Sequence, residues 1–393
     1  MPNLELSPSL LLGVSIGVLA TVSVSGLVDY FYPRHPKSSI KRGVEGLIGE
    51  TPLILIKSLS AETGCTILAK VEMLNPGGSA KDRVALAIVE QAEKEGLIHP
   101  HSGDVIYEGT SGSTGISLAM ICAAKGYRAH ICLPDDTSVE KVELLEKLGA
   151  TVEKVPPASI VDQRHYVNLA RTRAEEQNAS DSIPGHGIFA DQFETQANWT
   201  AHYAHTGPEI YTQTGGNLDA FVTGAGTGGT IAGVSRYLKN RLAKIKIVLA
   251  DPPGSGLYNK VKYGVMFDIV EREGTRRRHQ VDTVVEGIGI NRITQNFEIA
   301  RPLIDDAIRV SDLESLAMAR YLVDNDGLFV GSSTAVNCVA AARYAKSLGP
   351  GHTIVTIICD SGVRHLSKFW KAAMDISPAD YSSLNVILNP ILR

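Results

Sequence analysis

The sequence predicts an α/β fold of two doubly wound lobes with mostly parallel sheets, preceded by an N-terminal transmembrane helix. Strand and helix patterns alternate from residue 66 onward, which is typical of doubly wound folds. Many of the strands are nearly continuous apolar runs, as in sheets that are covered on both faces. The 393 residues are 44% hydrophobic and 20% charged, so the chain can bury a sizeable core.

The predicted strands and helices follow from local patterns. One helix follows Asn75–Ser79 and ends near Gly96, and another begins at the capping box formed by Thr137 and Glu140 and stops at Gly149. Strands are predicted at 66–72, 104–109, 128–133, 151–155, 219–224, 245–250, 282–286 and 352–359.

The N-terminal segment contains an uncharged apolar stretch at residues 10–28. As a helix its 19 residues span about 29 Å, close to the roughly 30 Å hydrocarbon core of a bilayer. No basic residue precedes the stretch, as a secretory signal would require, and it is not the arginine-rich amphipathic pattern of a matrix presequence. We therefore interpret residues 1–42 as a membrane anchor with its basic flank.

The flank predicts the orientation of this anchor. Four basic residues follow the stretch, and positive charge favours the cytosolic side of a membrane. They are Arg34, Lys37, Lys41 and Arg42. We expect the catalytic part to face the cytosol, with the mitochondrial outer membrane as the location and the endoplasmic reticulum as the alternative.

Charge and cysteine content exclude several classes of function. The chain has 38 Lys+Arg against 42 Asp+Glu, so no global basic field would recruit nucleic acid. The five cysteines lie at least ten residues apart, which excludes CxxC pairs and predicts reduced, buried thiols. The histidines show no ligand spacing, so no metal is expected.

Three glycine-rich turns follow predicted strands, at Gly109–Gly115, Gly224–Thr230 and Glu286–Gly289. Turns of this kind leave backbone N–H groups free at the start of a helix, where an anion is favoured. The second turn matches G-x-G-x-x-G, with Asp251 at the end of the next strand, which keeps an NAD-dependent oxidoreductase as an alternative. Its two threonine hydroxyls suit a terminal phosphate better than a bridging pyrophosphate.

Lys81 is the candidate nucleophile in the segment Asn75–Arg83. It stands two residues after Ser79, which can cap a helix, and the positive end of that helix would lower the pKa of its amine. A solvated surface lysine is the ordinary alternative. The preceding Pro-Gly-Gly favours the functional interpretation, because it brings the backbone close to another group.

The segment Asn75–Arg83 resembles the N-P-G-G-S-x-K-D-R signature of the cysteine synthase and cystathionine β-synthase family. These are pyridoxal-phosphate enzymes of the tryptophan-synthase-β fold, also called fold type II. The resemblance covers roughly residues 44–370 in matching order. Its further motifs are Ile48–Leu53, Thr110–Gly115, Asp191–Phe193, Thr206–Ile210, Gly226–Thr230, Glu286–Gly289, Gly331–Ser333 and Asp360–Gly362.

The resemblance implies roles for individual residues. Lys81 would be the catalytic residue, which binds pyridoxal 5′-phosphate covalently and moves the substrate α-proton. The cofactor-binding residues would be Lys81, Ser113, Gly226, Thr227, Gly228, Gly229, Thr230 and Ser332, with Ser333 as the alternate to Ser332 at the pyridine nitrogen. The substrate carboxylate would be held by Thr110, Ser111, Thr114 and Gln192.

Two of these residues carry further expectations. A serine at the pyridine nitrogen leaves the ring unprotonated, which favours β-elimination and β-replacement over transamination. Ser113 stands where the family usually has asparagine, in T-S-G-N-T-G, which puts the favoured substrate in doubt. The resemblance also implies a large cofactor-binding lobe of 43–75 and 188–393, and a small mobile lobe of 76–187.

The predicted function is that of a cysteine synthase, which makes cysteine and acetate from O-acetylserine and sulfide. The alternatives are a cystathionine β-synthase-like enzyme, a serine dehydratase-like lyase, and a non-catalytic, membrane-tethered scaffold that binds pyridoxal phosphate. We expect a small amino-acid substrate, no nucleic acid and a homodimer.

Overall fold

The computed structural model describes residues 40–180, 182, 184–268 and 283–389. Contacts divide the chain after Arg42, and the unit that begins at Gly43 contains two sheets. In chain order, the strands are β1 (Leu53–Leu55), β2 (Thr66–Val71), β3 (Val105–Gly109), β4 (Arg128–Pro134), β5 (Thr151–Val155), β6 (Gly187–Phe189), β7 (Ala220–Gly224), β8 (Lys246–Asp251), β9 (Asp306–Arg309) and β10 (Thr353–Ile358).

Helices fill the connections between these strands. In chain order, the α-helices are α1 (Lys57–Thr63), α2 (Lys81–Lys94), α3 (Ser113–Lys125), α4 (Val139–Lys147), α5 (Tyr166–Asn178), α6 (Gln196–Ala201), α7 (Gly207–Gln213), α8 (Gly229–Lys239), α9 (Leu257–Tyr263), α10 (Gln295–Ala300), α11 (Asp312–Asp326), α12 (Ser332–Leu348), α13 (Lys371–Met374) and α14 (Leu384–Leu388). A π-helical turn, His202–Thr206, joins α6 to α7, and a second one, Leu366–Trp370, precedes α13.

The larger sheet has the strand order β1-β2-β10-β7-β8-β9. Its pairs are parallel except for β1 with β2, so the carboxyl ends of the central strands meet at one edge. The register places Val71 beside Ile358 and Gly224 beside Ala250 at that edge. Helix α12 packs on this sheet with a face of alanines that allows close approach.

The smaller sheet has the order β5-β4-β3-β6, and its pairs are all parallel. Its two faces bury different clusters of side chains. Ile106 packs in the cluster that includes residues of α2 and α3, whereas Tyr107 packs with residues of α5 on the opposite face. This alternation places Glu108 on the same face as Ile106, towards α2 and α3.

The strand predicted at 282–286 is wrong for the described residues 283–286, which form no strand. The N–H groups there donate to side chains instead of to a neighbouring strand: that of Val284 to Asp312 and that of Glu286 to Ser332. The position beside β8 is taken by β9, which the sequence patterns did not reveal.

The helix predicted from the capping box of Thr137 and Glu140 begins at Val139 instead. Ser138 occupies the N-cap position without a side-chain hydrogen bond to the helix, and the Thr137 hydroxyl has no partner in the structure. The capping box is therefore not formed, although a helix follows it closely.

The predicted fold class is wrong in its transmembrane helix. Among the described residues, no helix is both long and apolar enough to cross a membrane. The longest uninterrupted α-helix there, α12, has 17 residues and so spans about 26 Å, less than the roughly 30 Å of a hydrocarbon core. The stretch 10–28, on which the prediction was based, lies outside the described residues.

A buried ion-pair network ties α2 to the larger sheet. The Arg83 guanidinium contacts Glu72 at 2.7 Å, at the end of β2, and Glu209 at 2.7 Å, on α7. Although burial opposes ionisation, the hydrogen bond and charge of Arg83 lower the pKa of Glu209 to about 2. Because Glu72 and Arg83 are almost fully buried, neither charge can be left unpaired at low cost.

Replacing Arg83 with alanine should therefore lower the free energy of unfolding by about 3–5 kcal/mol, because Glu72 would be left buried without a counter-charge. Chemical denaturation of purified wild type and variant measures this difference. The matched control is Arg164→Ala, which removes an exposed ion pair with Asp162 and should leave stability unchanged within error. Equal losses in the two variants would contradict the account.

Candidate active site

A cavity of 570 Å³ opens at the carboxyl ends of strands from both sheets. Its lining includes segments that follow β3, β4, β7 and β10, which is where ligands bind in open α/β sheets. The predicted site residues that line it are Lys81, Thr110, Ser111, Ser113, Thr114, Gly226, Thr227, Gly228, Gly229 and Thr230. Gln192 and Ser332 are outside the lining.

Lys81 begins helix α2, and its side chain faces the cavity. Its backbone N–H donates to the hydroxyl of Ser79 over 3.2 Å, but the N-cap residue is Ala80, and no side chain caps the helix. Burial lowers the pKa of the Lys81 ammonium, while the nearby Cys359 and Asp360 oppose the shift. The lowered pKa favours the neutral, nucleophilic amine.

The residue after Lys81 anchors the helix start from within. Asp82 is fully buried and accepts hydrogen bonds from the Gly77 N–H over 2.6 Å and from the Ser117 hydroxyl over 2.5 Å. A Cβ atom on Gly77 would lie 2.4 Å from the Asp82 carboxylate, which explains the glycine. The Pro-Gly-Gly turn therefore closes over Asp82.

The turn after β7 forms a cradle at the start of α8. Gly228 is the N-cap residue with φ of +88°, a conformation that favours glycine. A Cβ on Gly226 would lie 2.3 Å from the carbonyl oxygen of Gly287. The turn is therefore packed against the segment Glu286–Gly289, at the positive end of an 11-residue helix, where a phosphate is favoured.

Two side chains that the sequence analysis did not identify support this cradle. The Asn198 amide donates to the Thr227 hydroxyl over 2.9 Å. The Nε2 atom of His202 lies 3.2 Å from the Thr230 hydroxyl, and its Nδ1 atom lies 2.9 Å from the Thr206 hydroxyl. Burial lowers the pKa of His202 well below its usual value, so the ring is neutral at pH 7.

The turn after β3 leads into helix α3. The Gly112 N–H donates to the Thr110 hydroxyl over 3.2 Å, which shapes the turn. Behind it, the Thr114 hydroxyl donates to the Gln192 side-chain carbonyl over 2.5 Å. Gln192 is thus a buried neighbour of the cavity wall, adjacent to Thr114, and does not itself line the cavity.

Ser113, which departs from the family's asparagine, has a direct partner. The Arg364 guanidinium donates to its hydroxyl over 3.2 Å, and also donates to the carbonyl oxygen of Gly77. Arg364 therefore lies between the turn Gly109–Gly115 and the Pro-Gly-Gly turn and bonds to both. The sequence offered no signal for this contact, since 251 residues separate the partners.

The structure distinguishes the two serines at the start of α12. Ser332 is fully buried, and its hydroxyl accepts the N–H of Glu286 over 3.0 Å. Ser333 lines the cavity instead. A helix turns neighbouring side chains by about 100° relative to each other, so Ser333, the alternate, faces the cavity and Ser332 does not.

A charged wall faces the same cavity and was not predicted. His365 lies 2.9 Å from Asp360 through Nε2 and 3.6 Å from Glu286 through Nδ1. Glu286 also pairs with Lys141 at the start of α4. Burial opposes ionisation of Asp360, but the charge of His365 keeps the pKa of that carboxyl below its usual value.

His165, which also lines the cavity, has a structural partner. The His165 Nδ1 atom accepts the N–H of Val167 and so caps helix α5. In the part of the chain that the structure describes, one trio could offer metal ligands: His130, Cys132 and Glu153, with ligand atoms within 4.8 Å. The Arg173 guanidinium donates two hydrogen bonds to the Glu153 carboxylate, from Nε over 3.0 Å and from Nη2 over 2.7 Å. Glu153 therefore already has a cationic partner.

The residues present fit pyridoxal phosphate. At Gly226, Gly228 and Gly229 an added Cβ would clash with neighbouring protein atoms, so only glycine allows this turn, and the hydroxyl-bearing Thr227 and Thr230 line the cavity beside it. Lys81 provides an amine with a lowered pKa in the same cavity, and Ser333 provides an uncharged hydroxyl. The turn suits the phosphate of the cofactor, the Lys81 amine suits its aldehyde, and the Ser333 hydroxyl suits its ring nitrogen.

Known proteins resemble this chain over most of its length. The family model described as pyridoxal-phosphate dependent enzyme matches residues 44–360. A protein of Emericella nidulans named cysteine synthase 2 is 60% identical over 372 residues, which cover 92% of this chain and 87% of that protein. A protein of Saccharomyces cerevisiae, provisionally named a mitochondrial cysteine synthase, is 59% identical over 91% of this chain and 92% of its own length.

A solved structure agrees with these matches. The crystal structure of O-ureido-L-serine synthase superposes with a TM-score of 0.73 at 28% sequence identity, and the match covers 87% of this chain and 99% of that one. The α/β fold is therefore shared.

The predicted location at the mitochondrial outer membrane, with the endoplasmic reticulum as alternative, is wrong. The Saccharomyces cerevisiae relative is named for mitochondria and not for a membrane. Within the described ranges, the chain offers no membrane-crossing helix that would support the assignment.

Gly226→Ala tests the cradle. The added methyl group must displace the Gly287 backbone, so the affinity for pyridoxal phosphate should fall at least about tenfold, in line with the 1–3 kcal/mol typical of overpacking. Fluorescence titration of apoprotein with the cofactor measures this affinity. Gly112→Ala is the control, because a Cβ there meets no atom within 4 Å, and it should retain the cofactor. Wild-type affinity in Gly226→Ala would refute the cradle.

Proposed function

The chain belongs to the pyridoxal-phosphate dependent enzyme family, and we propose that it makes cysteine and acetate from O-acetylserine and sulfide. The family membership confirms the resemblance inferred from the sequence. The observation that supports the reaction best is the roughly 60% identity to cysteine synthases across nine tenths of the chain. The cofactor is pyridoxal 5′-phosphate, whose ring withdraws electrons from the substrate Cα when it is bound.

In this proposal Lys81 holds the cofactor covalently and moves the proton at the substrate Cα. Its partly buried amine supports this assignment, since a lowered pKa leaves more of it unprotonated at neutral pH. Asp82 and Arg83 hold the start of α2 in place without entering the cavity, so the amine keeps its position as protons move.

The two glycine turns bind the two anionic ends of the reactants. Gly226–Thr230 would hold the phosphate, with Asn198 and His202 orienting the two threonine hydroxyls. Thr110, Ser111 and Thr114 would hold the substrate α-carboxylate, and the adjacent Gln192 would orient Thr114. The substrate is thereby positioned with its α-carbon near Lys81.

Ser333 is the proposed partner of the pyridine nitrogen, in place of Ser332. A hydroxyl there does not protonate the ring, so charge at Cα is less delocalised and loss of the β-substituent competes well. This preference supports β-replacement over transamination. The resemblance to the family also supports a homodimer as the working form, and the lobe of 76–187 remains a predicted mobile unit.

A product assay tests the reaction. Purified holoenzyme incubated with O-acetylserine and sulfide should form cysteine and acetate in a one-to-one ratio, measured by chromatography. Homocysteine in place of sulfide tests the cystathionine β-synthase-like alternative, and omission of any nucleophile tests a lyase that forms pyruvate. A protein that binds the cofactor and yields no product in any of the three mixtures would be the non-catalytic scaffold.

Lys81→Ala should abolish this activity and leave the fold intact. The buried ion pairs at the start of α2 are made by Arg83, so removing the Lys81 side chain does not break them. We expect turnover to fall by at least about a thousandfold, which corresponds to roughly 4 kcal/mol of barrier. Steady-state kinetics and circular dichroism measure activity and fold separately. Turnover within tenfold of wild type would remove Lys81 from the catalytic role.

Ser113→Asn restores the residue that the family usually has at this turn. The longer amide can still accept from Arg364 and adds a donor towards the cofactor, so kcat/KM with O-acetylserine should rise by about tenfold, the effect of one hydrogen bond to a charged group. Kinetics on O-acetylserine, serine and phosphoserine measure the change. Identical profiles for both proteins across the three donors would show that Ser113 does not tune the substrate.

A further inference from the structure

Glu108 is a buried carboxyl group directly before the turn Gly109–Gly115, and the function described so far does not use it. It is fully buried at the end of β3, one residue before the turn begins. Its two oxygens face Gln192: one accepts the backbone N–H over 3.3 Å, and the other lies 3.1 Å from the side-chain Nε2.

Gln192 connects this carboxyl group to the cavity. Its backbone is held in place, because its carbonyl oxygen accepts the amide of Asn198 over 2.7 Å. Its side-chain amide lies between Glu108 and the hydroxyl of Thr114, which lines the cavity. A change at Glu108 can therefore reach the cavity through one rotatable amide.

The hydrogen-bond roles in this chain depend on one proton. When Glu108 is ionised it can only accept, so the Gln192 NH₂ group faces it and the Gln192 carbonyl faces Thr114. The Thr114 O–H then donates to Gln192 and presents lone pairs to the cavity. A carboxylate bound there would meet an acceptor.

Protonation of Glu108 reverses each role. The carboxylic O–H can donate to the Gln192 carbonyl, which requires the amide to turn by 180° and its NH₂ group to face Thr114. Thr114 then accepts from Gln192, and its own O–H is free to donate into the cavity. A substrate carboxylate would gain a donor at the same position.

We propose that Glu108 is a positioning residue that sets the direction of the Thr114 hydroxyl through Gln192, and that the enzyme binds the substrate carboxylate when Glu108 carries a proton. This inference rests on the proposed function, because it assigns the substrate carboxylate to the turn at Thr110–Thr114. It adds a pH-dependent control of substrate affinity to that turn.

The surroundings of Glu108 place this switch near physiological pH. Burial raises the pKa of Glu108 to about 8, the Gln192 hydrogen bonds oppose the shift, and the charge of Asp191 adds to it. On the neighbouring strand β4, Cys132 interacts with Glu108, and the same strand carries Arg128 and His130. Helix α2 carries Lys81, Asp82 and Arg83 in its first turn. A raised pKa stabilises the protonated form below about pH 8, so affinity for the carboxylate should be high there and fall above it.

The test is direct binding of L-alanine, which has the α-amino and α-carboxylate groups but no leaving group. Calorimetry on the wild-type holoenzyme from pH 6.5 to 9.5 should show an affinity that falls about tenfold or more through pH 8, the effect of one hydrogen bond to a charged group. Glu108→Gln imitates the protonated carboxyl group, because its NH₂ can donate to Gln192. This variant should keep the high affinity from pH 6.5 to 9.5. Titration of the L-alanine amine affects the wild type and all variants equally.

Two further variants complete the design. Asp251→Asn is the matched control: Asp251 is also fully buried, and burial raises its pKa to about 7, but it bonds to the Tyr258 N–H away from the turn. It should keep the wild-type pH profile. Thr114→Val removes the switched hydroxyl and should bind with the low, high-pH affinity at every pH, which provides a second test if Glu108→Gln fails to fold.

The outcomes separate this inference from the proposed function. A Glu108→Gln or Thr114→Val protein that retains the wild-type pH dependence overturns the switch, as does loss of that dependence in Asp251→Asn. Cysteine formation by the wild type in the same preparations would show that the proposed function still holds. A wild type that forms no cysteine and does not bind L-alanine at pH 6.5 would overturn both.

Discussion

The site depends on two buried ionisable side chains that follow Lys81 directly in the chain. Asp82 accepts hydrogen bonds from the Pro-Gly-Gly turn and from Ser117 of α3, while Arg83 pairs with Glu72, which follows β2, and with Glu209 of α7. Loss of Arg83 would leave Glu72 buried without this partner, which costs several kcal/mol. The start of α2 is therefore held by groups on α3, on α7 and at the end of β2, and Lys81 faces the cavity from that position.

This arrangement links stability to chemistry. The carboxyl ends of parallel strands bring glycine turns from both sheets to one cavity, where their backbone N–H groups are the proposed donors to two anions. The side chains behind those turns are neutral: His202 is held neutral by burial, and Asn198 and Gln192 are amides that donate to buried oxygens. Lys81 thus lies beside the two glycine turns, and burial lowers the pKa of its amine.

Much of the site could be read from the sequence, because its backbone turns depend on local glycines and its nucleophile lies in a contiguous motif. The strands of both sheets were predicted where they form long apolar runs, but β1, β6 and β9 are short and were missed. The segment 283–286 is as apolar as a strand, yet side chains of Asp312 and Ser332 satisfy its N–H groups. Contacts such as Arg364 with Ser113 join distant parts of the chain, and nothing local indicates them. The choice between Ser332 and Ser333 depended on helix phase, which the motif alone does not give.

Lys81 is the proposed amine that holds the cofactor. Two other lysines, Lys141 and Lys368, line the same cavity and provide an internal comparison. Borohydride reduction of the purified holoenzyme, followed by peptide mass mapping, measures which lysine carries the phosphopyridoxyl group. The account predicts the label on the peptide that contains Lys81 and none on the other two. A label on Lys141 or Lys368 with Lys81 unmodified would contradict it.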